Sequence, residues 1–81
     1  MEALTKGIME HFKGRKIEFI NFIFLDSVGR RVETYGFRSG WLIDYEIKPG
    51  YEHVKIFLNT CSYFVKPQDI QIFSGWMDQK K

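Results

Sequence analysis

Between His53 and Phe73 the chain alternates apolar and polar positions in short runs. Val54, Ile56 and Leu58 alternate with Lys55, Phe57 and Asn59. A period of two marks a strand with one buried face. Asn59-Thr60-Cys61-Ser62 then supplies an amide and hydroxyls that can bond the local backbone, which is turn chemistry. Tyr63-Phe64-Val65 reads as a second strand. Pro67 cannot donate to a ladder, so pairing stops there. After the Lys66–Asp69 turn, Ile70 and Ile72 alternate with Gln71 and Phe73 in a third. Strands this close in the chain predict a tightly curved antiparallel sheet, which the upstream residues must cover or close.

Upstream, Leu4, Ile8 and Phe12 recur every four residues and predict one apolar stripe on a helix over about 2–13. Gly14 is its expected left-handed stop. Lys16 to Leu25 predicts a strand whose apolar phase slips: Ile17 and Phe19 share one face, then Ile20, Phe22 and Phe24 the other. Either a bulge shifts the phase or both faces are covered. Asp26-Ser27-Val28-Gly29 reads as a hairpin turn. Arg30 to Ile47 is long for one strand and contains Gly36 and Gly40, which predicts one strongly bent strand or two joined by a turn. Pro49-Gly50 suits the middle of a type II turn over Lys48–Glu52. The tail, 74–81, has only Trp76 and Met77 to bury and is expected to fray.

At 81 residues the chain is read as one domain, 1–81, with the strands over about 15–73. A domain near this size buries only ~60% of its unfolded surface. Yet 44% of its residues are apolar and 17% aromatic, so part of that surplus is expected at a subunit interface. Net charge is +2, with a slightly basic N-terminal half, which is compatible with a nucleic-acid partner without demanding one. Cys61 is the single cysteine, so no internal disulfide can form and zinc spacing is absent. No leader sequence is read at the start, and Phe19–Leu25 is far short of the ~20 residues that span a bilayer. These features predict a cytoplasmic protein, or one in the host cytoplasm if viral.

A helix followed by five short antiparallel strands, one bent at glycine, predicts a mainly β fold: a strongly bent small barrel of the Sm-like or SH3-like type. At this point the chain resembles the Sm-like (LSm/Hfq) family over roughly residues 3–73. The helix stands ahead of the first strand, as in that family. LDSVGRRVE, residues 25–33, occupies the place of its hydrophobic–turn–Gly–basic–hydrophobic segment, and HVKIFLNTCSYFVKPQDIQIF, residues 53–73, looks like its closing strands. The chain differs in its loops. Lys48–Glu52 lacks the family's Asn, Lys66–Asp69 stands in place of Arg-Gly, and the Tyr-Lys-His triplet of the Hfq branch is absent, with Lys66 near its position. The resemblance implies a homo-oligomeric ring of about five to seven subunits, joined edge to edge. Tyr63, Phe64, Val65, Ile70, Ile72 and Phe73 would line its subunit margins.

The resemblance also implies that single-stranded RNA binds at loops on the pore face. Tyr51 is suited to stack on a base, Lys48 and Lys66 to hold phosphates, and Gln68 to read a base edge, with His53 beside them. Lys13, Arg15 and Lys16 form a second basic cluster, and Arg30, Arg31 and Arg38 a third. His11 and His53 have no ligand-spaced companions, so no metal is expected. Asp44 and Glu46 read as a solvated pair, and no nucleophile–base arrangement emerges. The expectation is a non-enzymatic RNA-binding protein without a cofactor. The alternative is an SH3-like protein-interaction or structural module of viral, phage or mobile-element origin, with no nucleic-acid role.

Overall fold

The computed structural model describes residues 2–59 and 61–74. Helix α1 (Glu2–Phe12) precedes strands β1 (Lys16–Leu25), β2 (Arg31–Trp41), β3 (Asp44–Glu46), β4 (Val54–Phe57), β5 (Ser62–Val65) and β6 (Ile70–Ile72). A 3-10 turn, Pro67–Asp69, precedes β6. The expected tail beyond Ser74, with Trp76 and Met77, lies outside the described residues. The sheet order is β2-β1-β5-β4-β3, β6 also pairs with β1, and every pairing is antiparallel. The fold is therefore mainly β with one N-terminal helix. No helix among the described residues is long and apolar enough to cross a membrane.

The expected five strands become six, because Arg30–Ile47 divides at a corner. β2 runs along β1 until Trp41 stands opposite Lys16. The Leu42 amide then donates to the Arg15 carbonyl at 3.0 Å, and the next amide, Ile43, donates to the Phe57 carbonyl at 2.9 Å. β3 continues along β4 from Asp44 opposite Phe57. The chain thus changes partner strands within two residues. A Cβ at Gly40 would lie 3.0 Å from the Leu58 side chain, so close approach selects glycine just ahead of the corner. The corner also resets the side-chain phase: Leu42 is fully buried, while Trp41 and Ile43 on either side are exposed. The expected small barrel is not closed. Among the described residues no ladder joins β2 to β3, so the sheet is open.

The slipped phase of β1 is a bulge. The register shifts between Ile20 and Phe22, where Asn21 takes φ 57° and stands against both Tyr35 and Gly36. Asn is the residue type that tolerates this left-handed conformation best after Gly. Ile17 and Phe19 before the bulge, and Phe22 after it, all reach one core. That core is completed by Met9, Phe12, Leu42, Val54, Ile56, Val65 and Ile70. Phe22 meets Phe19 and Tyr63 edge-on, with ring centres 5.6 and 4.9 Å apart. Each such pair adds ~0.5–1.5 kcal/mol beyond the area it buries.

The helix covers this core with a stripe different from the one expected. Met9 and Phe12 are buried, whereas Leu4 is 63% exposed and Ile8 36%. The reason is the helix's tie to the corner. The Gly14 amide, at φ 83°, donates to the Leu42 carbonyl at 2.8 Å. This presses the C-terminal turn onto the core and leaves the face of Leu4 and Ile8 beside the Lys48–Glu52 turn.

Among the described residues Glu18 is the one charged residue that is buried, and its place in the apolar–polar pattern gives no hint of this. It lies on the outer register of β1, between Ser39 of β2 and Gln71 of β6. Its carboxylate accepts a hydrogen bond from Gln71 Nε2 at 2.9 Å. Strands flanking β1 on both sides enclose that position.

Candidate nucleic-acid interface

A row of paired residues crosses the outer face of the sheet: Glu33, Ile23, Phe64, Lys55 and Glu46, from β2 through β1, β5 and β4 to β3. Phe64 occupies its centre and is half-buried. The Arg31 guanidinium lies 5.8 Å from the Phe64 ring centre, and the Lys55 ammonium lies 5.7 Å from it and 5.2 Å from the Phe57 ring. These separations are within the range over which a ring face attracts a cation. A groove of about 220 Å³ opens over Phe64, with Arg31, Lys55, Lys48, Tyr51 and His53 on its walls.

The Lys48–Glu52 turn sets the far wall. Gly50 adopts φ 85°, as the third position of a type II turn requires, and the Tyr51 amide donates to the Lys48 carbonyl at 3.2 Å. Tyr51 is held on this stiff turn with 69% of its surface exposed. Three cations, Arg31, Lys48 and Lys55, face the groove with the acids Glu46 and Glu52. Glu52 is engaged elsewhere, 3.9 Å from the Lys66 ammonium. The groove is therefore an anion-attracting surface with aromatic faces.

The second expected loop opens into an adjoining recess of about 360 Å³. Lys66, Gln68 and His53 line it together with Glu33, Glu52 and Asp69. Carboxylates outnumber cations there, so a phosphate is repelled rather than held. The structure thus brings Lys48, Tyr51 and His53 to one groove, places Lys66 in its acidic neighbour with His53 and Gln68, and sets Gln68 with Lys48 and Tyr51 along a third groove beside α1.

The remaining candidates lie elsewhere. Lys13 sits 3.7 Å from Asp44 in an exposed ion pair, and the Lys16 ammonium lies 4.1 Å over the Phe73 ring. Arg15 is exposed at the helix–strand junction, where its carbonyl anchors Leu42. Of the expected subunit margins, Val65 and Ile70 are in the core, and Tyr63 packs between Phe19 and Phe22. Phe64, Ile72 and Phe73 keep part of their surface. β5 is flanked by β4 and, through the single pair Ile23–Phe64, by β1; β6 is flanked by β1 alone among the described residues.

Burial raises the Tyr63 hydroxyl above its ordinary range, the Cys61 sulfur 2.8 Å from it acts in the same direction, and Arg38 opposes both. Among the described residues no three His, Cys, Asp or Glu side chains converge as metal ligands would. Sequence reasoning passes over Lys55 and Phe57 and assigns Phe64 to a subunit margin, not to this groove. The available signal was aromatic Phe57 on the polar register of its strand, two residues from a lysine. The chain matches no protein-family model, no curated protein and no solved structure.

Proposed function

We propose that the chain is a non-enzymatic domain that binds single-stranded RNA in the groove over Phe64. The observation that carries this reading is the Phe64 ring set between the Arg31 and Lys55 charges, in a groove whose wall also holds the exposed Tyr51. Single strands are held by this combination: cations take the phosphates, and aromatic faces take successive bases at ~1–3 kcal/mol each. Lys48, Arg31 and Lys55 supply the charge, Tyr51 and Phe64 the stacking surfaces, and His53 a polar wall. The open curved sheet with a 3-10 turn before its last strand agrees with an Sm-like or SH3-like ancestry, which is part of the same proposal. The test is titration of a labelled single-stranded RNA against added salt, in wild type and in Tyr51→Ala and Lys55→Gln. Loss of affinity in both variants supports the reading, and no binding at low salt removes it.

One observation favours the alternative, a protein-interaction module. A groove of about 470 Å³ runs between α1 and the Lys48–Glu52 turn, walled by Leu4, Ile8, Ile47, Val54 and Pro67. Absence of RNA binding by a folded chain would shift the assignment to that groove.

A further inference from the structure

The longest strand is also a free margin. β2 spans eleven residues, stands at one end of the sheet and pairs, among the described residues, with β1 alone. The other margins, β3 and β6, are three residues each. A long edge presents a row of backbone donors and acceptors to any second strand, and proteins usually blunt such edges with lysine, proline or shortness. β2 has neither lysine nor proline; its edge is interrupted by the bulge at Tyr35 and Gly36 and carries the charges of Arg31, Glu33 and Arg38. Its odd-numbered residues share the outer face, as their partners on β1 show: Arg31 opposite Leu25, Glu33 opposite Ile23, Phe37 opposite Ile20 and Trp41 opposite Lys16. Tyr35 on that same face is 79% exposed, and Trp41 is 53% exposed.

We propose that β2 pairs antiparallel with β2 of a second copy of this chain, about a two-fold axis at Gly36. In that register Tyr35 faces Phe37 of the second copy, Arg31 faces its Trp41, and Glu33 faces its Ser39. Each contact occurs twice because the interface is isologous. Aromatic pairs and cation–aromatic pairs are favourable cross-strand neighbours. Axes at Glu33 or Arg38 instead set like charges directly opposite each other, which is unfavourable. An axis at Tyr35 leaves Trp41 without an opposing residue on the strand. At Gly36 there is open space: a Cβ there would meet only the Thr34 methyl, at 3.9 Å. The pairing joins two six-stranded sheets into one and buries the exposed aromatic residues of β2. Arg31 stands at both surfaces, on a wall of the groove over Phe64 and opposite Trp41 of the second copy, while Phe64, Lys55, Lys48 and Tyr51 take no part in the pairing.

The test is the mass in dilute solution together with site-directed cross-linking. Sedimentation equilibrium of the wild-type chain is expected to give twice 9.7 kDa. Tyr35→Lys, at a side chain with almost no burial, is expected to give the single-chain mass with an unchanged far-ultraviolet spectrum. In a Cys61→Ser background, Gly36→Cys is expected to form a covalent dimer on mild oxidation, because a disulfide needs Cα atoms about 5–6 Å apart. Arg31→Cys in the same background is expected to stay uncrosslinked, since the two copies of that position lie ~34 Å apart along the paired strands. A monomeric wild type, a mass of several subunits as in a ring, or a dimer that cross-links at position 31 and not at 36 overturns the proposal.

Discussion

Lys55 stands directly opposite Phe64 in the β4–β5 ladder, and its ammonium lies 5.7 Å from the Phe64 ring centre. The pair places a positive charge and an aromatic face side by side on the solvent side of the sheet. Lys55→Gln keeps the stem that covers the ring and removes the charge. It is expected to weaken RNA binding and to lower the slope of log affinity on log salt by about 0.7, the share of one phosphate contact on a single strand. Lys66→Gln is expected to change that slope less, because Lys66 lines the acidic recess and not this groove. Fluorescence anisotropy over a salt series checks both.

Tyr45 of β3 donates its hydroxyl proton to Glu10 of α1, tying the helix to the sheet. That hydrogen bond is the main reason the phenol is pushed up to about 12, with burial and the Glu10 and Asp44 charges adding to it. A folded-state value above the unfolded one favours the protonated form in the fold. The stability it lends is therefore complete below the ordinary value of 10.0 and is lost as pH rises through about 12. Spectroscopic titration of tyrosinate is expected to show a step near pH 12 that disappears in Tyr45→Phe. Its survival in that variant would assign the step to another tyrosine.

Asp26 works in the opposite direction. Its carboxylate accepts from the Arg30 amide at 2.9 Å, the Val28 amide at 3.0 Å and Arg30 Nε at 3.0 Å, closing the β1–β2 hairpin. The Arg30 amide is the largest cause of its lowered pKa, while desolvation opposes it. The carboxylate form is favoured in the fold. Its contribution is present above the unfolded value of 3.8 and fades as pH falls below that toward the lower folded value. Urea midpoints measured from pH 5 to pH 2 are expected to fall more steeply for wild type than for Asp26→Asn.

The corner at Leu42 offers a stability test. Leu42→Ala is expected to cost ~2–5 kcal/mol, because the residue is wholly buried where two strand pairings and the helix stop converge. At ~4–8 °C per kcal/mol for a domain of this size, the melting temperature is expected to drop by more than 8 °C. Ile43→Ala, at the exposed neighbour, is expected to stay within ~0.5 kcal/mol of wild type. Thermal melts of the two variants make the comparison.

Local chemistry made most elements readable. Alternation at Val54–Leu58, the Pro49-Gly50 turn and the slipped phase around Asn21 each reported a backbone fact that depends on near neighbours. The strand count went astray at Leu42 because the alternation of Trp41, Ile43 and Tyr45 runs through the corner unbroken. Only the partners Arg15 and Phe57, distant in sequence, reveal that the phase resets there. The helix stripe failed for the same kind of reason. Leu4 and Ile8 satisfy the helical period, yet the tie from Gly14 to Leu42 decides which face meets the core. For the site, Lys48 and Tyr51 were legible from their turn. Lys66 looked equally suitable until Glu52 was found beside it, and Phe64 declared itself only when the register put it between Arg31 and Lys55.

Direct titration of a fluorescein-labelled single-stranded RNA of about ten nucleotides tests the groove over Phe64 most plainly. Three phosphate contacts, from Arg31, Lys48 and Lys55, give an expected log–log salt slope of about −2. Loss of one stacked base in Tyr51→Ala is expected to weaken binding by ~5–150-fold, the equivalent of ~1–3 kcal/mol. No binding by the folded chain at low salt, or binding unchanged by Tyr51→Ala and Lys55→Gln, would contradict it.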